Sequence, residues 1–141
     1  MNSRLVHSAL RTLRGAPLTA TPIAARRFTT SSPKMTVHVL KSVDQFKETI
    51  QQHPAVVIDA SATWCGPCRV ISPLFEGWSE DSEFGSIYFA KFDVDEVPDL
   101  AGELGIRAMP TFIFFKGGNK VNEFTGASPP AVQNLLRDLI N

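Results

Sequence analysis

From Val37 to the C-terminus, short apolar runs alternate with segments of helical period. Val37 to Leu40 is a short β-type run. Ser42 suits a helix N-cap, and Phe46 with Ile50 carries helical spacing through Gln52. His53-Pro54 ends that helix, because a residue before proline is pushed out of the helical region. Val56 to Asp59 is almost continuously apolar, the pattern of a strand covered on both faces. Arg69 to Glu80 predicts a second helix, with Pro73 expected to kink it and Gly77 to weaken it. Ile87 to Val94 reads as a third strand, and Val97 to Leu104 as a short helix stopped by Gly105. Thr111 to Phe115 is a strongly apolar strand; Gly117-Gly118-Asn119 turns it into a partner, Lys120 to Phe124. After a turn at Gly126, Ser128 caps a last helix that opens on Pro129. Val132, Leu135, Leu136, Leu139 and Ile140 make its apolar face. The order βαβαβαββα predicts one α/β layered domain, and no internal repeat is visible.

Composition divides the chain in two. It is 43% hydrophobic with 10 Phe, enough for one domain with a real core. Its formal net charge of zero hides an asymmetry. Residues 1–34 hold Arg4, Arg11, Arg14, Arg26, Arg27 and Lys34 and no acid, whereas residues 35–141 hold all 14 acids. An acidic folded part without a basic stripe argues against nucleic-acid binding. On a helix, Arg4, Arg11 and Arg14 fall opposite Val6, Leu10 and Leu13. With abundant Ser and Thr, this is the pattern of an organellar transit peptide. No apolar run is long enough for a membrane span or a secretory signal. Residues 1–34 are therefore expected to target the mitochondrial matrix and to be cleaved near Phe28. Initiation at Met35 would give a cytosolic form instead.

The chemistry centres on Trp64-Cys65-Gly66-Pro67-Cys68, which holds the chain's 2 cysteines. The pair falls at a strand-to-helix turn. Unpaired N–H groups and the helix dipole there favour a thiolate, so Cys65 is expected to have a lowered pKa and to be the nucleophile. Cys68 lies about one turn further on and can close a disulfide back onto it. Gly66 and Pro67 keep the turn tight, and proline is tolerated in a first helical turn. A zinc site would need four ligands, and only His7, His38 and His53 are at hand, none paired at ligand spacing. A static bridge over so short a loop would constrain the unfolded chain little. Redox chemistry is the stronger reading.

Asp59 stands inside an apolar strand six residues before Cys65. Burial without a partner would raise its pKa, so it could take and return the proton of Cys68. Lys91, in the third strand, is its natural charge partner. Met109-Pro110, just before the fourth strand, is a candidate cis peptide whose loop would offer free backbone groups to an extended substrate. Trp64 reads as a partly exposed contact platform.

Taken together, residues 36–141 resemble thioredoxins. The motif Trp64-Cys65-Gly66-Pro67-Cys68 is the thioredoxin form of C-x-x-C, and Asp59, Pro73, Lys91, Ile106-Arg107, Met109-Pro110-Thr111, Gly118 and Gly126 support it. The resemblance implies a thioredoxin fold, a five-stranded mixed central sheet flanked by four helices, with Pro110 in cis. It implies a substrate surface of Trp64, Gly66, Pro67, Met109, Pro110, Gly126 and Ala127. It implies a monomer without a bound cofactor, re-reduced from NADPH by a separate flavoprotein thioredoxin reductase. Peroxiredoxins and methionine sulfoxide reductases are the partners it suggests. No G-x-G-x-x-G follows a strand in this chain. Ala60 and Ser61 stand where the family usually has bulky residues, and each removes buried volume on which the packing around Asp59, and so the rise of its pKa, depends. Trp78 is a candidate to refill that volume. Arg69 keeps a positive charge near the dithiol. The expected reaction is reduction of a partner's disulfide through the pair Cys65–Cys68. The competing readings are a non-catalytic binding subunit and a disulfide-forming catalyst; the lack of a secretory signal argues against the second.

Overall fold

A computed structural model describes residues 36–141. The expectations for residues 1–34 and for a start at Met35 lie outside the described residues. The described elements are β1 (Val37–Val39), α1 (Val43–Gln52), β2 (Ala55–Ser61), α2 (Gly66–Glu80), β3 (Tyr88–Asp93), α3 (Pro98–Leu104), β4 (Thr111–Lys116), β5 (Asn119–Thr125) and α4 (Pro129–Ile140).

The strands form one five-stranded sheet in the order β1-β3-β2-β4-β5. β1, β3 and β2 run parallel, and β4 and β5 run antiparallel to their neighbours, so the sheet is mixed. β2 is central and paired on both sides. Its apolar run is explained by this place, since residues Ala55 to Ala60 are all buried. Because alternate residues point to opposite faces, β2 feeds two cores. On one face Val57 packs with Ile71 and Phe75 of α2 and with Val132 and Leu136 of α4. On the other face Val56, Ile58 and Ala60 join Phe46 of α1 and Leu100 of α3.

Local signals set the boundaries. The Ser42 hydroxyl accepts the Gln45 N–H at 3.1 Å and caps α1. Gly117 and Gly118 take φ of 57° and 80°, which lets a two-residue turn join β4 to β5 with the twist the strands require. Asn119, expected in that turn, is instead the first residue of β5.

Three further expectations are corrected, and one turn adds to those expected. α2 begins at Gly66 rather than Arg69, so the second cysteine lies inside the helix. The chain also makes a 3-10 turn at Ser82–Phe84 that buries Phe84 beneath the main core. Ile140 ends α4 at 37% exposure, outside that helix's buried face of Val132, Leu136 and Leu139. Trp78 packs against the α2–α4 core, whereas Ala60 belongs to the opposite one. Trp78 therefore does not refill the volume at Ala60.

Phe75 locks α2 to the sheet. It is 1% exposed, meets Phe89 edge-on at 5.1 Å and lies 5.6 Å from Phe112. Phe75→Ala leaves a cavity under the helix and is expected to cost about 3–5 kcal/mol, read from the urea midpoint at unchanged slope.

Candidate active site: a disulfide at a helix N-terminus

Cys65 is the N-cap of α2, and its side chain accepts the Cys68 N–H at 3.2 Å. This puts its sulfur on one of the N–H groups that a helix start leaves without an internal partner. A thiolate formed there meets the positive end of the helix dipole. Cys65 and Cys68 are joined as a disulfide, with their Cα atoms 5.3 Å apart. Pro67 sits in the first turn, where its missing N–H costs nothing. Pro73 lies within the unbroken span of the same helix, on its exposed side.

Both cysteines are nearly buried, at 4% and 3% exposure, against Ala62 and the partly buried Val94 and Met109. Gly66 and Pro67 are exposed beside them, and Trp64 is 64% exposed. The Trp64 indole is held rather than loose, since its Nε1–H donates to Asp95 Oδ2 at 2.8 Å. Asp93 fastens the same loop by accepting the Thr63 N–H at 3.2 Å and the Asp95 N–H at 2.8 Å. Arg69 donates to the Thr63 carbonyl at 3.1 Å. The Met109-Pro110 bond is cis. The Pro110 carbonyl accepts the Gly126 N–H at 2.9 Å. Gly126 follows β5, and Ala127 is partly buried against the α2–α4 core.

Asp59 is fully buried, and among the described residues neither of its carboxylate oxygens has a hydrogen-bond partner. Ala60 and Ser61 do not open it to water. Ala60 is itself fully buried among the residues of the opposite core. Burial raises the carboxyl from its ordinary 3.8 to about 7, and the charge of Lys91 pulls against that rise. Lys91 pairs in register with Asp59 on the neighbouring strand. Its ion pair, however, is with Glu76 of α2, at 2.9 Å. Lys91 thus acts on Asp59 through space and not through a direct bond.

The structure brings Trp64, Cys65, Cys68 and Met109 together, with Asp59 and Lys91 on the α2 side of the sheet. Sequence reasoning missed Asp93, Asp95, Val94 and Glu76. Asp93 and Asp95 had a readable signal. They end a parallel strand next to β2, and loops at the carboxyl ends of adjacent parallel strands meet. Glu76 had a weaker one, its place two helical turns beyond Cys68.

A disulfide closing a C-x-x-C at a helix start, on an α/β sheet with one buried carboxyl among the described residues, defines a thiol–disulfide exchange protein. The chain belongs to the thioredoxin family, whose sequence profile matches residues 37–138. It is 50% identical over 111 residues to thioredoxin-2 of Pyricularia oryzae, covering 79% of this chain and 64% of that protein. The thioredoxin of Malassezia sympodialis is 45% identical with a TM-score of 0.71, over 75% of this chain and 95% of that one. Mitochondrial thioredoxin 3 of Saccharomyces cerevisiae, in its oxidised form, is 36% identical with a TM-score of 0.71, over 77% of this chain and 100% of that one. A further match, at 36% identity and a TM-score of 0.70, covers 74% of this chain and 96% of the other. It comes from a structural study of thiol resolution in a yeast mitochondrial 1-Cys peroxiredoxin via glutathione/thioredoxin systems. Thioredoxins are protein dithiol–disulfide oxidoreductases that work without a bound cofactor, and this chain has their redox pair.

The buried carboxyl has a measurable thermodynamic effect. Near pH 3.8 and below, folded and unfolded chains both hold the Asp59 proton, and the effect vanishes. Between 3.8 and about 7 only the folded chain holds it, so stability falls as pH rises. Above about 7 the full penalty stands, about 4 kcal/mol at about 1.4 kcal/mol per unit. In the oxidised protein, Asp59→Asn is expected to flatten this slope. It should stabilise by about 3–4 kcal/mol near pH 8 and by little near pH 4, measured by urea unfolding at the two values.

Proposed function

We propose that residues 35–141 reduce disulfides in partner proteins, with Cys65 as the attacking sulfur and Cys68 as the resolving one. The observation that carries the assignment is the Cys68 N–H on Cys65 Sγ, at the positive end of α2. In the reduced protein, Cys65 thiolate attacks one sulfur of the target disulfide. A Cys65–target bond forms, the target's S–S bond breaks, and the departing target thiolate takes up a proton. Asp59 then accepts the proton of Cys68, whose thiolate attacks Cys65 Sγ. The second target sulfur leaves and is protonated. Two electrons and two protons have passed to the target, and Cys65–Cys68 is the disulfide left behind.

Lys91 tunes the Asp59 proton affinity in this scheme. Gly66, Pro67 and Pro110 shape the rim around the sulfurs. Trp64, Met109, Gly126 and Ala127 form the contact surface for the target. Among the described residues, the Met109 backbone N–H and carbonyl have no hydrogen-bond partner, so they are open to an extended chain. Electrons return from NADPH through thioredoxin reductase. Peroxiredoxins and methionine sulfoxide reductases are proposed targets, the first supported by the peroxiredoxin system of the related yeast structure.

Residues 1–34 are proposed to be a cleaved leader that delivers the domain to the mitochondrial matrix. The support is their six basic residues without an acid, and the likeness of the domain to a mitochondrial thioredoxin.

Cys65→Ser is expected to abolish insulin-disulfide reduction. Cys68→Ser is expected to retain targets as mixed disulfides that a reducing agent releases. A Cys65→Ser protein that still turned over would overturn the assignment. In mitochondria, protein carrying a C-terminal tag is expected to begin near residue 29 by N-terminal sequencing, and an intact Met1 in the matrix would overturn the leader reading.

A further inference from the structure

Lys91 lies at a junction. On one side is a surface depression of about 70 Å³ lined by Glu76, Ser79, Glu80 and Lys91, among others. On the other is one of about 220 Å³ lined by Ser61, Ser72, Lys91, Asp93 and Glu96, among others. Lys91 thus lines both depressions, and it pairs in register with the buried Asp59 on β2. Asp59 and Lys91 share the face that α2 covers, and neighbouring strands lie about 4.8 Å apart. An ammonium there has the reach to meet the carboxylate directly. It does not, because no hydrogen bond or ion pair joins the two. Lys91 Nζ is 2.9 Å from Glu76 Oε1 instead.

We propose that Glu76 is a positioning residue for the Asp59 proton step. By holding the Lys91 ammonium at the solvent mouth, it keeps that positive charge from settling on the buried carboxyl. The inference rests on the role given to Asp59 above and adds the residue that sets its working range.

The physical argument is one of competition. A half-buried ammonium needs a partner, and two carboxylates compete for it. Asp59 would have to be ionised in a dry site to receive it. Glu76, with its side chain 53% exposed, offers its carboxylate to Lys91 at the surface, without burial. Glu76 therefore wins the lysine, and Asp59 is left without a close cation. A cation drawn up to Asp59 would lower its proton affinity, and it would then release its proton too readily to hold one between cycles. The remaining titratable groups around the pair are few. They are Glu80 on α2, and Asp93 and Glu96 at and beyond the end of β3; Cys65 and Cys68, joined as a disulfide, do not titrate in the oxidised protein. From β4, the residue facing Asp59 is the apolar Phe112.

The test is the Asp59 titration, followed by carboxyl ¹³C NMR on the oxidised full domain. Glu76→Gln is expected to lower the Asp59 midpoint by about half a unit or more, as Lys91 turns toward it. Glu76→Asp should restore it. In a Lys91→Met background, Glu76→Gln should move the midpoint by less than about 0.2 unit, because the relay is gone. Glu80→Gln removes the same charge from the same depression but no ion pair, and should do likewise in the native background. An equal shift with and without Lys91, an equal shift from Glu80→Gln, or no shift at all would each overturn the proposal. The readout does not depend on turnover. In parallel, the pH profile for release of the reduced target should move to lower pH by the same amount in Glu76→Gln. If the NMR midpoint moves and that profile does not, Glu76 still positions Lys91, and it is the role of Asp59 in exchange that fails.

Discussion

Strand β2 has no solvent side. It is hydrogen-bonded to a strand on each edge and packed by helices on each face, and every residue from Ala55 to Ala60 is buried. Much else follows from that position. The strand must be apolar throughout, so the one carboxyl it carries is forced into a dry site. The strand must also end somewhere, and it ends by running into the loop whose last residue caps α2 with a sulfur. The same central element therefore supplies both the acid and, a few residues later, the thiol.

This arrangement sets stability against function. An ionised carboxylate with no partner, 0% exposed, opposes folding at neutral pH. A well-packed apolar residue would hold β2 in place more firmly. In the proposed exchange the carboxyl is useful for the reason it is costly, since its desolvation moves its titration into the range where thiols exchange protons. The surrounding core offsets the penalty. Phe75, Phe89 and Phe112 meet on the same face of the sheet and fasten α2 over it.

Much of this was legible in the sequence. The period of apolar residues located nine regular elements in order, because each had either a continuous run or a helical stripe. The dithiol, Asp59 and Pro110 stood out because a cysteine pair, an acid in an apolar strand and a proline before a strand are locally anomalous. The rest depended on contacts that no local pattern carries. The start of α2 was misplaced because Gly66 and Pro67 are poor helix formers, and the sulfur that caps them becomes visible only in three dimensions. The ion pair between Glu76 and Lys91 spans fifteen positions, and the bond from Trp64 to Asp95 spans thirty-one. Ser82–Phe84 was missed because a single 3-10 turn is too short to show a period.

The low exposure of the two sulfurs has a consequence for which cystines in a cell this chemistry can touch. At 4% and 3% exposure, little of either cysteine meets solvent. Sulfur must approach sulfur along a narrow line, so the incoming bridge has to stand proud of its own protein. A cystine sunk inside a compact secretory-type domain cannot do that without unfolding, while one carried on a mobile tail or loop can. Burial of the reagent thus works as a steric sieve. In the proposed reaction that sieve spares the bridges that hold folds together and admits those that chains present for exchange.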